Sequence, residues 1–158
     1  MSIYRRAARG FTLVEIMIVV AIIALIAAIT IPNLLRSRIN ANEAAAVSTL
    51  KSMATAMESY RAAQSPVTYP TTFTNLSGAQ PGGGPAYLPT TVTGATAPAT
   101  ARQGYFYTPT LAASTYSILS KPASAGNSGV STYFVDQTGI IRVDRTGADA
   151  TNASTPVE

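Results

Sequence analysis

The sequence predicts an α+β protein, one long N-terminal helix laid against a small antiparallel sheet of three or four strands. Three observations predict it. An apolar run from Phe11 to Leu35 passes without a turn signal into a stripe of apolar residues at helical spacing. Short runs rich in β-branched and aromatic residues follow Gly104. Between the two lies a segment holding six of the ten prolines.

The helix comes first. About 25 residues from Phe11 to Leu35 carry a single charge, Glu15, and would rise about 37 Å, enough to cross the hydrocarbon core of a bilayer. A lone carboxylate near the centre of such a span costs on the order of 2.5–3.5 kcal/mol, less near an end. Pro32 removes one helical hydrogen bond and crowds the carbonyl of Ala28, so a kink is expected there. From Asn40, Val47, Leu50, Met53, Met57 and Tyr60 recur at spacings of three and four and form one apolar face, a core face rather than a cofactor box. Ala44 to Ala46, Ala54 and Ala56 favour helix and permit close approach. The helix is expected from about Thr12 to Ala63, roughly 78 Å, with Pro66 closing it.

Residues 65–103 contain Pro66, Pro70, Pro81, Pro85, Pro89, Pro98 and the run Gly82-Gly83-Gly84, and read as a loop. The glycine run lacks the following lysine and the strand-to-helix context of a phosphate loop. Strand-like runs occupy 105–108, 115–120, 132–135 and 140–143, and Asp136-Gln137-Thr138-Gly139 suits a type I turn between the last two. One sheet face, with Tyr105, Tyr107, Tyr116, Ile118, Tyr133 and Val135, is expected to cover the helix stripe. Residues 146–158 read as a loose polar tail.

The first residues carry the functional signal. Arg9-Gly10-Phe11-Thr12-Leu13-Val14-Glu15, after Arg5 and Arg6, resembles the prepilin cleavage and methylation motif of type IV pilins and type II secretion pseudopilins. The resemblance covers about 35 residues and implies the pilin fold. It also implies cleavage between Gly10 and Phe11 by a membrane-embedded peptidase, and methylation of the new amine of Phe11. Glu15 then serves assembly, and Pro32 matches a proline of the family. The implied organisation is a leader 1–10 that is removed, a transmembrane and filament-core half 11–38, and an exported head 39–158. In that head the helix ends near 63, an αβ-loop spans 65–103, the sheet spans 104–145 and the tail 146–158.

The implied function is a structural subunit of a type IV pilus, polymerising through its N-terminal helix for adhesion, motility or DNA uptake. A pseudopilin of a type II secretion system is the alternative, and a membrane-anchored binding protein that never polymerises is the second. The implied partners are further copies of the chain, the prepilin peptidase, an inner-membrane assembly platform and the membrane itself. The leader arginines place the N-terminus in the cytoplasm, and the resemblance implies an inner-membrane precursor leading to an extracellular pilus or periplasmic pseudopilus. An ordinary secretory signal is shorter and is cut after its apolar core.

Composition narrows the chemistry. Without the leader arginines the chain has eight basic and seven acidic residues, about +1, so the net +4 marks no nucleic-acid surface. No histidine or cysteine is present, which removes the usual nucleophile–base pairs, zinc sites and disulfides. Of the seven carboxylates Glu15 lies in the span, and a pair for acid–base work would have to come from Asp136, Asp144, Asp149 or Glu158, near a sheet end or in the tail, while neither Lys51 nor Lys121 is marked for catalysis. The chain reads as no enzyme and as needing no cofactor. The resemblance makes calcium the one metal to consider, because major pseudopilins hold it in a C-terminal loop. Asp136, Asp144 and Asp149 are the oxygen ligands there, set against a reading of Asp136 as a turn cap and the others as solvated. Asn75-Leu76-Ser77 and Asn152-Ala153-Ser154 match a glycosylation triplet that also arises by chance in such a Ser/Thr-rich chain.

Overall fold

The structure, a computed structural model, describes residues 10–80 and 83–157. Arg5, Arg6 and Arg9, which carry the orientation reading, lie outside the described residues, as do Pro81, Gly82 and Glu158. The chain divides into two units, parting after Arg36.

Helix α1 runs from Leu13 to Ala62 and continues through Pro32 without a break. The proline takes away the amide that would bond the Ala28 carbonyl, and one turn away the Thr30 hydroxyl donates to the Ile26 carbonyl at 2.9 Å. Within the head the helix buries Ala46, Leu50, Met53, Ala54, Ala56 and Met57, with Val47 and Tyr60 partly buried beside them. The alanines of this face leave no bulk between helix and sheet.

The sheet has five strands, one or two more than expected. They are β1 (Tyr105–Leu111), β2 (Tyr116–Pro122), β3 (Thr132–Asp136), β4 (Arg142–Asp144) and β5 (Thr155–Pro156), all antiparallel in the order β1-β2-β3-β4-β5. Tyr105, Tyr107, Tyr116, Ile118, Tyr133 and Val135 are all buried in the core cluster shared with the helix. The turn before β4 closes through the Gly139 N–H to the Asp136 carbonyl at 2.9 Å, and Asp136 Oδ1 accepts from the Thr138 N–H at 2.9 Å. Gly139 has φ +74°, a conformation that suits glycine. Gly129 answers a different need: a Cβ there would come within 2.1 Å of the Tyr105 hydroxyl, which passes it to donate to the Ser131 carbonyl at 2.8 Å.

Among the described residues, the loop between helix and sheet contains short turns, 3₁₀ at Phe73–Leu76 and Pro98–Thr100 and α-helical at Thr90–Thr93 (α2). It is nonetheless part of the core, since Tyr69, Phe73, Leu76, Leu88, Val92 and Ala95 are buried. The Tyr107 N–H bonds the Ala95 carbonyl at 2.8 Å, which covers part of the outer edge of β1.

The tail is not loose. The Thr132 hydroxyl donates to the Ala148 carbonyl at 2.5 Å and accepts from the Ala150 N–H at 3.0 Å, and Ala150 is buried. Arg142 Nη1 donates to the Ser154 carbonyl at 3.0 Å, and the Val157 N–H bonds the Ile141 carbonyl at 2.8 Å. Lys121 Nζ meets Asp149 Oδ2 at 2.7 Å. Polar bonds hold this segment, so its lack of apolar residues gave no sign of order.

Two side chains fasten the 128–131 loop to the helix. Asn42 Nδ2 donates to the Ser128 carbonyl at 2.8 Å, and Glu43 Oε1 accepts from the N–H groups of Val130 and Ser131 at 2.9 and 3.0 Å. Burial raises the pKa of the Glu43 carboxyl, but the bonds from Ser131 and Val130 outweigh it and hold the group below the ordinary glutamate value.

Candidate functional site: the N-terminal helix and its cap

The residues singled out from sequence meet at the start of α1. Leu13 is the first helical residue, so Thr12 is the N-cap. Its hydroxyl accepts from the Glu15 N–H at 3.2 Å, while Glu15 Oε2 accepts from the Thr12 N–H and the Thr12 hydroxyl, each at 2.8 Å. This reciprocal pair is a capping box, satisfying two of the amides that a helix start leaves without partners. Sequence reasoning missed the role of Thr12, although Thr-x-x-Glu ahead of an apolar run is the signal for it.

The cap fixes where the carboxylate lies. Glu15 folds back onto the amide that follows Phe11 rather than pointing away along the helix. A negative charge there also meets the positive end of the helix dipole. Both bonds from Thr12 fall on Oε2.

Gly10 has a different character. A Cβ added to it meets nothing within 4 Å, so nothing in the described chain demands a glycine at this position.

Beyond the cap, sixteen large apolar side chains from Phe11 to Leu35 are exposed, Phe11 by 84% and Leu35 by 49%. The exposure runs all round the helix, unlike the one-sided face of the head. Leu13–Ala62 contains a stretch long and apolar enough to cross a membrane. In water each of these side chains forgoes about 1.5–3 kcal/mol of burial.

Elsewhere the expected ligands stay apart. Asp136 Oδ1 accepts from the Thr138 hydroxyl, Asp144 Oδ1 from the Thr146 N–H and hydroxyl, and Asp149 pairs with Lys121. Asp136 thus caps its turn, and the three carboxylates are engaged separately. Among the described residues no three carboxylates come together as a metal-binding group. Two surface grooves of about 670 and 650 Å³ carry Arg102 in one and Lys51 with Glu58 in the other. With no histidine or cysteine in the chain, neither holds a usual nucleophile–base pair.

The site is thus an apolar helix that opens just after a Gly-Phe junction and is closed at its start by the Thr12–Glu15 capping box. Residues 5–31 match the prokaryotic N-terminal methylation motif. The type IV major pilin protein PilA of Myxococcus xanthus is 48% identical over 52 residues, 33% of this chain and 24% of that protein. The type IV wide pilus major component PilA4 of Thermus thermophilus is 46% identical over 56 residues, 35% of this chain and 43% of its own. The type II secretion system core protein G of Klebsiella michiganensis is 37% identical over 68 residues, 43% and 46% of the two chains. These matches thus span from a quarter to just under half of the relatives' length. No solved structure matches significantly. The chain carries the prokaryotic N-terminal methylation motif of prepilins and is homologous to type IV pilins and to type II secretion core protein G pseudopilins.

Proposed function

We propose that this chain is the structural subunit of a type IV pilus. In this reading a prepilin peptidase removes residues 1–10 and methylates Phe11, and α1 holds the precursor in the inner membrane with its N-terminus cytoplasmic. Residues 11–38 then pack in the core of an extracellular filament and residues 39–158 form its head, close to the division after Arg36.

The observation that carries the reading is the all-round apolar surface from Phe11 to Leu35, with a carboxylate held at its start. Outside a bilayer that surface needs cover, and copies of the same helix provide it. A helical array of identical subunits does so without closing on itself. Thr12 holds Glu15 at the helix start, where the methylated amine of a neighbouring Phe11 supplies the opposite charge. Pro32 gives the packed helices a point of local bending.

The matches to core protein G support a second reading, a pseudopilin of a type II secretion system, through the same helix and the same assembly logic. Intact-mass measurement of the exported protein tests the common part. The expected first residue is N-methylated Phe11, and recovery of Arg5 to Arg9 on exported protein overturns the assignment. Immunogold electron microscopy separates the branches. Labelled surface fibres support the pilus, and a chain confined to the periplasm whose deletion blocks protein export supports the pseudopilus.

A further inference from the structure

We propose that Arg36 and Arg38 form a cationic collar that grips lipid phosphates at the bilayer face opposite Glu15. The inference rests on the reading of α1 as a membrane span and names the partner of its far end.

The spacing is the first argument. Between Glu15 and Arg36 lie twenty residues, Ile16 to Leu35, without an ionisable side chain. They are helical throughout and rise about 30 Å, which matches the hydrocarbon thickness of a bilayer. With Glu15 at one boundary, Arg36 emerges at the other.

The arginines are also uncommitted. Both are exposed, and among the described residues neither takes part in an ion pair or a side-chain hydrogen bond. Glu43, the next carboxylate along the chain, is occupied by the amides of Val130 and Ser131.

Their placement decides between partners. Two residues apart on a helix are turned by about 200°, so Arg36 and Arg38 leave α1 on nearly opposite sides. In the membrane precursor, before copies surround the helix, a protein packed against one side reaches one of them, whereas a headgroup layer surrounds the helix and reaches both. The arginine stem can lie along apolar surface while the guanidinium extends to the interface, and its planar fork matches phosphate oxygens in pairs. Basic residues on this side run against the charge bias that orients a span, so they call for a local counter-charge. The collar sets the depth of the helix, and because it already stands on the exit side it need not cross hydrocarbon when the subunit leaves.

The test places the full-length chain, with ¹³C-labelled arginine side chains, in bilayers of phosphatidylethanolamine and phosphatidylglycerol. The buffer contains no inorganic phosphate, so lipid is the only source of phosphorus. Carbon–phosphorus dephasing at Cζ is compared between wild type, R36Q/R38Q and R36K/R38Q, with protease protection of Ile16–Leu35 followed in parallel. We expect a part of the arginine dephasing to vanish in both variants, while any from the leader arginines persists as an internal reference. A protected span whose dephasing is the same with and without Arg36 and Arg38 overturns the collar alone. A span unprotected in wild type overturns the spanning reading and the collar with it. Wild-type arginines that dephase only through the leader, in a chain whose R36Q/R38Q variant no longer forms fibres, assign the pair to a neighbouring subunit and also overturn the proposal.

Discussion

Replacing Thr132 by valine keeps its shape and removes one oxygen, which makes it a sharp probe of how the C-terminal segment is held. Thr132 is buried, and its hydroxyl is both donor to the Ala148 carbonyl and acceptor from the Ala150 N–H. Thr132→Val leaves a donor and an acceptor without partners beside a buried Ala150, at about 1–3 kcal/mol each, or roughly 2–6 kcal/mol together. A head of this size loses about 3–5 °C of Tm per kcal/mol, so the midpoint should fall by on the order of 10 °C. Thermal unfolding of the head from Ile39 onward measures the loss, with Thr132→Ser as the control that restores the hydroxyl. Hydrogen exchange at the Ala150 amide locates it. If Thr132→Val melts like wild type and that amide stays protected, the segment is held by something else and the reasoning fails.

Three further outcomes are expected. Glu15→Ala should still insert and be processed but yield few fibres, because removing one partner of a desolvated charge pair typically costs about 3–5 kcal/mol; normal fibre yield by electron microscopy refutes the pairing. A chain beginning at Ile39 should be soluble and monomeric with mixed α/β circular dichroism, and fibres formed by that fragment would show that the helix is not the assembly element. Glu43 lies below its ordinary pKa in the folded head, so the stability its ionised form adds is present above the unfolded value, about 4.3, and drains away as pH falls through the lower folded value. Urea midpoints measured from pH 6 to pH 3 should therefore fall less steeply for Glu43→Gln than for wild type, and parallel slopes exclude the role.

The helix was legible almost to the residue, since α1 ends within a residue of its expected bounds at either end. Periodicity named its buried face because Leu50, Met53 and Met57 touch the core through apolar surface, which the sequence displays directly. The sheet face was legible for the same reason. β5 was not: two residues with a proline on an edge strand make no pattern, and their order comes from β4 and from the Arg142 and Val157 bonds. At the site, Gly10, Phe11 and Glu15 stood out as a motif, whereas the Thr-x-x-Glu signal of Thr12 was overlooked until the three hydrogen bonds it shares with Glu15 displayed it. The fastening of Glu43 to Val130 and Ser131 joins positions nearly ninety residues apart, and no local pattern encodes it.

The strand order β1-β2-β3-β4-β5 has a consequence for how the head comes together. Every strand lies beside its predecessor in the chain, so each pairing closes a short loop and costs little chain entropy. Low sequence separation between pairing partners is the condition that favours rapid folding in sheets. A ribosome delivers the chain N-terminus first, so each strand emerges after the one it pairs with and no strand waits for a distant mate. The long-range closure, helix to 130–131, is the one that needs most of the chain present. Built this way, the head can be completed in the order in which it is made.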